Sequence, residues 1–398
     1  MRIGVIGGGQ LARMMAPAVS ELDLEFYVLV EALDGAAGKI FPNSTVGEAN
    51  DIETVLNWVK KNNLDVVTFE HEHVPNYIID KINDLHVAVY PDKLALRFAQ
   101  NKILMREKLS EIHLPCPDFT VVKNIGELQV FMQKHGGQAV LKTATGGYDG
   151  KGVLVVKEQD SQSLEIASKW FEKSFSSTAD INDPEQDPRL LVEELVPFTR
   201  ELAALVVRSS KGEIKAWDTV ESIQENSVCK TVIAPAPDLG KNDKAKKMAI
   251  KIAEELGVVG VLAVEMFEVV NSLGISKILI NELAMRPHNS GHWTINGSVT
   301  SQFENHLRAV AGLPLGNTDR INKEYWTVME NILGSTRKDL RDAKIDAMSV
   351  NSSAKINLYG KGIRPGRKLG HINLSGEDLQ EVREDVKKIG NIFQGITL

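Results

Sequence analysis

The 398-residue chain carries 43% hydrophobic and 25% charged residues, which suits a globular protein of two or three domains, each with its own core. A net charge of −7 gives no basic field to draw nucleic acid or an acidic membrane surface, so an anionic substrate must be received by local basic groups. The two cysteines, Cys116 and Cys229, stand far apart with no C-x-x-C or Cys/His grouping beside them, which excludes a cysteine-based zinc site and fits a reducing compartment.

Arg2 to Ile6 reads as a strand with no cationic, apolar leader before it, and no apolar run approaches the ~20 residues a membrane helix needs. The expected location is the cytoplasm. Up to about residue 100, strand and helix signals alternate. The first strand ends at Gly7-Gly8-Gly9, and a helix is expected from Gln10 to about Ser20. Strands follow at Phe26 to Val30 and Asp65 to Phe69, with a helix at Ile52 to Lys60 between them. This alternation predicts a parallel, helix-flanked sheet. A helix near Lys102 to Glu111 ends before the rigid Leu114-Pro115-Cys116-Pro117.

From about residue 118 short strands lie close together: Ala139 to Lys142, Val153 to Val156, Leu190 to Leu195, Leu202 to Val207 and Glu213 to Val220. A helix from Gln162 to Phe175 runs into a polar loop, Ser176 to Pro188. Strands at Val261 to Val269 and Lys277 to Ile280, a helix at Thr300 to Val310 and a strand at Lys355 to Tyr359 complete an α+β block with mainly antiparallel pairing.

Four segments carry chemistry. Gly7-x-Gly9-x-x-Ala12 follows a strand and opens a helix, and Glu31 ends the next strand. This suits a dinucleotide, another phosphate-bearing ligand, or tight packing of strand on helix. A second loop, Gly146 to Gly152, holds four glycines in seven residues and joins two strands. It is not a Walker loop, since Gly152 rather than Ser or Thr follows Lys151, but its backbone N–H groups could fold over phosphate oxygens, with Lys142 supplying fixed charge. Glu265 alternates with Val261, Ala263 and Phe267, and Glu282 with Ile278 and Ile280. Each carboxylate on an apolar face needs a cation, either Mg²⁺ carrying nucleotide phosphates or a basic side chain. Finally, Arg286-Pro287-His288-Asn289-Ser290-Gly291-His292 is a stiffened turn of donors suited to a small oxyanion such as bicarbonate.

In this order, Lys102, Lys142, the Gly-Gly-Tyr-Asp-Gly loop, Glu193 to Val196, Glu201, Glu265, Asn281-Glu282 and His-Asn-Ser-Gly-His resemble the N5-carboxyaminoimidazole ribonucleotide synthetases of the ATP-grasp class. Gly7 to Leu11, Asp65 to Glu72 and Tyr359 to His371 extend the resemblance over nearly the whole chain. It implies a Rossmann-like pre-ATP-grasp domain (1–105), an ATP-grasp domain of two subdomains (106–297) and a small C-terminal domain (298–398), assembled as a homodimer. It implies that ATP is held by Lys102, Lys142, the loop residues Gly147, Tyr148, Asp149, Gly150, Lys151, Gly152 and Val153, and the adenine segment Glu193, Glu194, Leu195 and Val196. Glu201, Gln224, Asn281 and Glu282 would complete that site, with Mg²⁺ on Glu265 and Glu282. The aminoimidazole ribonucleotide would meet Gly9, Gln10, Leu11, Glu70, Glu72, Tyr148, Asp149, Lys361, Arg364 and Arg367. Arg286, His288, Asn289, Ser290, His292 and Lys151 would serve catalysis with bicarbonate. Gln224 stands about where many members carry a nucleotide-contacting histidine, and Met285 replaces a common proline. The rival within the fold, a formate-dependent glycinamide ribonucleotide transformylase, differs at Gln10 and at Asn289-Ser290-Gly291. A nicotinamide-dependent oxidoreductase would rest on the first glycines and Glu31 alone.

Overall fold

Five short parallel strands form the first layer, in the order Ser44–Val46, Glu25–Val30, Arg2–Ile6, Val66–Phe69 and Ala88–Val89. The computed structural model describes residues 1–146, 152–176, 186–225, 228–239, 243–335 and 337–396. Both faces of this sheet are buried, as a helix-flanked parallel sheet requires. Ile3, Val5 and Val28 pack on one side with Phe303 and Leu307, while Ile6, Leu29 and Phe69 pack on the other with Trp58 and Ile78. The helix Ile52–Asn62 starts where the Asp51 carboxylate accepts the Thr54 N–H, and it stops at Asn63 in the left-handed region. The single helix expected from Gln10 is two, Gln10–Met14 and Ala16–Glu21. Pro17, in the first turn of the second, has no N–H to continue the first.

A four-stranded antiparallel sheet follows, ordered Phe119–Val122, Leu190–Glu193, Gln138–Thr143 and Val153–Lys157. Its apolar face is covered by the helices Ile125–Lys134 and Ser161–Ser176 through Leu128, Phe131, Ala167 and Phe171. Most of the polar segment expected as a loop, and the core of the second glycine loop, lie outside the described residues.

The remaining strands form one nine-stranded sheet. Its main path runs Ser276–Ala284, Gly260–Val270, Arg200–Arg208, Val220–Glu225, Val228–Ala234, Trp326–Leu333, Lys368–Gly376, Lys355–Leu358. Hydrogen bonding therefore continues from the central region into the C-terminal one through the pairing of Val228–Ala234 with Trp326–Leu333. The run Glu213 to Val220, expected as one strand, is split. Ile214–Ala216 pairs back on Arg200–Arg208, and Trp217 then turns fully inward, its indole N–H donating to the Thr300 carbonyl at 3.0 Å. A buried indole needs such a partner, and that need ends the strand.

His306 ties three segments together. Its Nδ1 accepts the backbone N–H of Val261 at 3.1 Å, so the neutral ring carries its proton on Nε2, 2.9 Å from the Thr68 hydroxyl. Gly260, at φ +105°, permits this approach, since a Cβ there would meet the ring at 2.9 Å. Burial pushes His306 down to about 3. The unfolded chain thus takes up a proton near pH 6.5 that the folded chain refuses until about pH 3, and this residue's contribution to stability is lost as pH falls through that window. We expect His306→Gln to lower stability by about 2 kcal/mol at pH 7.5. The gap from the unmodified protein should narrow by up to ~1.4 kcal/mol per pH unit below 6.5. Urea transitions at pH 7.5 and 5.5 check this; a gap that stays constant would contradict the buried neutral ring.

Candidate active site

Alternation along Ser276–Ala284 would set Glu282 beside Ile278 and Ile280, on the face that packs into the core with Leu262, Val264 and Met266. The structure corrects this. The register shifts between Glu265 and Met266, so that Met266 opposes Ile280 while Glu265 opposes Glu282, and Asn281 is the extra residue. Beyond this bulge the side chains exchange faces, and Glu282 joins Glu265. On the neighbouring strand Ala203 opposes Glu265, and Glu201, two residues away, shares that face. Three carboxylates on adjacent strands thus share one face, where Glu201 and Glu265 line a cleft with Gln224, Ser222, Phe267 and Asn281. Burial, then Glu282 and Glu201, push the Glu265 carboxyl up to about 8. Burial and Glu282 push Glu201 up to about 7 against its hydrogen bond from Gln224. Carboxylates crowded in this way suit a divalent cation bound by oxygen, which Glu265 and Glu282 could hold. Among the described residues the group of three whose ligand atoms lie close enough together to share an ion is Asp118, His135 and Glu194, on the four-stranded side, and it includes neither of these glutamates.

Across the cleft Lys142, one residue before the end of its strand, is almost wholly buried. Its Nζ lies 2.8 Å from Glu193 Oε2 and 3.3 Å from Asn281 Oδ1, linking the two sheets. Glu193 also takes the Arg106 Nε–H at 2.7 Å, and despite burial Arg106 and Lys142 hold its carboxyl down at about 2. The Glu193 side chain, expected along the adenine segment, is thus engaged on both oxygens within the protein and fixes Lys142. Glu194, Leu195 and Val196 follow it at the strand end; Glu194 accepts the Asp118 N–H at 3.1 Å. Lys102 sits at the start of its helix, with Nζ donating to the Gly146 carbonyl at 2.9 Å. Burial lowers its pKa, Glu282 partly offsets this, and Lys142 lowers it further. Of the glycine loop, Gly152 and Val153 are described; Gly147, Tyr148, Asp149, Gly150 and Lys151 lie outside the described residues.

The turn after Ser276–Ala284 joins this cleft to the first layer. Arg286 donates through Nε to Glu72 at 2.7 Å, and Glu72 also accepts the Met285 N–H at 3.1 Å. His288 Nδ1 accepts the Ser290 N–H at 3.3 Å, so the proton of the neutral ring is on Nε2, 3.5 Å from Glu265 Oε1. Burial, then Arg286 and Lys368, push this ring down to about 3. Gln302, which no periodicity singled out, clamps His288 by accepting its N–H at 2.8 Å and donating to its carbonyl at 2.7 Å. Ser290 is fully buried and 2.8 Å from His288 Nδ1, a support for that ring. His292 is also fully buried, stacked on His371 at 4.6 Å and on Phe303. The ring expected to be catalytic thus sits in a packed stack, with its Nε2 making no hydrogen bond among the described residues.

At the N-terminal glycines the anion-binding amides already have an anion. Glu70 accepts from Gly9 N at 2.8 Å, Leu11 N at 3.1 Å and Ala12 N at 3.4 Å, and Glu31 accepts from Gly8 N at 3.2 Å. Gly9 and Leu11 thus spend their N–H groups within the protein. Gln10 instead reaches across, accepting from Lys361 Nζ at 2.7 Å and donating to Asn289 Oδ1 at 2.9 Å. Lys361 is half-buried, whereas Arg364 and Arg367 are exposed on the following turn.

Comparison with known proteins identifies the family. A "Ribonucleotide synthetase preATP-grasp domain" profile matches residues 1–100, an "ATP-grasp domain" profile residues 107–303, and a "Phosphoribosylaminoimidazole carboxylase C-terminal domain" profile residues 327–385. The chain is 42% identical to the N5-carboxyaminoimidazole ribonucleotide synthase of Corynebacterium ammoniagenes, over 97% of this chain and 90% of that one. It is 34% identical to that of Bacillus subtilis, over 96% and 94%. Among solved structures, the Thermus thermophilus synthetase superposes with a TM-score of 0.83 at 33% identity, covering 98% of each chain. An Aspergillus clavatus synthase in complex with ADP and 5-aminoimidazole ribonucleotide gives a TM-score of 0.83 at 30% identity, covering 99% of each. The chain belongs to the N5-carboxyaminoimidazole ribonucleotide synthase family of ATP-grasp proteins.

Proposed function

We propose that this protein is an ATP-grasp ligase of purine biosynthesis. It carboxylates the amine of 5-aminoimidazole ribonucleotide with ATP and bicarbonate, releasing ADP and phosphate. The observation that carries its ATP-using part is the face of three carboxylates set opposite Lys102 and Lys142, with His288 linking it to the Arg286 turn, and carboxylation rests on the synthase family. Bicarbonate is a poor electrophile. Its oxygen attacks the γ-phosphorus, ADP leaves, and carboxyphosphate results. The substrate nitrogen then attacks the carboxyl carbon as phosphate departs and the nitrogen loses its proton.

Lys142, fixed by Glu193 and Asn281, and Lys102, fixed on Gly146, face the phosphates and need no rearrangement as charge develops. Glu265 and Glu282 would hold Mg²⁺, which when bound would offset charge on the phosphate oxygens. Arg286, held charged by Glu72, Glu70 and Glu265 despite burial, receives the bicarbonate. The neutral His288 presents its Nε2–H beside Glu265 without adding charge that would compete for the ion. Gln224 and Glu201 take the nucleoside end, and Lys361, Arg364 and Arg367 the substrate phosphate. The nicotinamide reading is not favoured, since a pyrophosphate at Gly7 to Gly9 would have to displace Glu70 from three backbone amides. Assembly as a homodimer and a cytoplasmic location belong to the proposal. Among the described residues no helix is long and apolar enough to cross a membrane.

Purified protein should release ADP only when bicarbonate and aminoimidazole ribonucleotide are both present. Robust ATP turnover with formate and glycinamide ribonucleotide instead would overturn the assignment. Glu282→Gln should lower kcat/KM for ATP by about a hundredfold while the thermal transition moves little. The metal must displace a proton from Glu265, so apparent Mg²⁺ affinity in the presence of ADP should climb up to ~10-fold per pH unit below about pH 8, then level off. Calorimetric titrations at pH 6.5, 7.5 and 8.5 check this; an affinity that does not vary with pH would place the ion elsewhere.

A further inference from the structure

Three segments distant in sequence meet at the Gln10 side chain, which is 8% exposed. Its backbone sits in the turn whose flanking amides, Gly9 N and Leu11 N, are pinned on Glu70, so the side chain projects from a fixed base. The Lys361 ammonium, 2.7 Å away, can only donate, and this forces the Gln10 carbonyl oxygen to face it. The Gln10 amide nitrogen must then face Asn289, 2.9 Å away, and because that nitrogen can only donate, Asn289 must offer its oxygen. The Asn289 Nδ2 donors are left over, and among the described residues they donate to no protein acceptor.

Resting on the function proposed above, we propose that Gln10 is a positioning residue that sets the orientation of the Asn289 amide, so that the bicarbonate subsite meets N–H donors and not a carbonyl oxygen. The order Lys361, Gln10, Asn289 is directional because it begins at a group with no acceptor. Replacing Gln10 with Glu keeps the size and the bond from Lys361 but removes the donor. The Asn289 amide must then turn its Nδ2 toward residue 10 and its oxygen toward the anion.

Steady-state kinetics of Gln10→Glu, Asn289→Ala and the double variant test this. Gln10→Glu should raise the bicarbonate KM at least ~10-fold while the ATP KM stays within about twofold. A glutamate could also repel bicarbonate directly, and the double variant separates the two causes. If Gln10 acts through Asn289, adding Gln10→Glu to Asn289→Ala raises the bicarbonate KM no further. If the two effects multiply, the positioning role is overturned and the proposed function stands. Side-chain amide NMR on asparagine-labelled protein with ADP bound gives a readout independent of turnover. The Asn289 signal, identified by its absence in Asn289→Ala, should shift on adding bicarbonate to the unmodified protein and not to Gln10→Glu; equal shifts in both overturn the positioning role. An unmodified protein that releases ADP without regard to bicarbonate overturns the proposed function, and this inference with it.

Discussion

Like charge held on one face of a sheet is the constraint around which the site is organised. Glu201, Glu265 and Glu282 lie on adjacent strands, and their mutual repulsion adds to burial in raising two of their pKa values. Such a group is stable only as a partly protonated cluster or as the shell of a cation. The opposite wall answers this charge without cancelling it. Two cations, Arg106 and Lys142, share the single carboxylate of Glu193, so one positive charge remains, held where Lys142 reaches Asn281 beside Glu282. Lys142 alone would be a mobile charge on a flexible stem; locked between Glu193 and Asn281 it is a fixed one.

The sheet's register makes this arrangement possible. With regular pairing, Glu265 would oppose Asn281, and Glu282 would point among Leu262, Val264 and Met266. A carboxylate there costs several kcal/mol. One extra residue at Asn281 exchanges the faces, so that Ile278 and Ile280 enter the core and Glu282 enters the cleft. The same residue accepts from Lys142, so the bulge both aims the glutamate and anchors the lysine.

Local signals in the sequence place most elements. The helix Lys102–Glu111 and the strands carrying Glu265 and Glu282 follow from residue type and periodicity, and the order of acids and lysines already points to nucleotide chemistry. What was not legible depends on contacts between distant residues. Period-two counting assumes no extra residue, so it cannot see the bulge at Asn281. The burial of the Glu193 side chain follows from Arg106, 87 positions earlier. Continuity of the large sheet into the C-terminal region depends on which strands become neighbours, and nothing in Trp326–Leu333 announces Val228–Ala234 as its partner. Carboxylation as the reaction rests on family resemblance, since the local chemistry alone supports any Mg-nucleotide enzyme.

The N-terminal glycine turn shows how a strong sequence signal can be redirected. Its amides favour an anion on physical grounds, and they have one in Glu70, supplied by the end of a neighbouring parallel strand. An internal carboxylate is always present, so the turn becomes a rigid element of the scaffold. From that scaffold the Gln10 side chain leads to the C-terminal turn at Lys361 and to the Arg286–His292 turn at Asn289. Glu72, just beyond Glu70, holds Arg286 from the same side. The first layer therefore contributes to the site chiefly by orienting basic and amide groups that belong to the other two regions. An anion in the cleft would then meet donors whose directions were fixed at the opposite end of the chain.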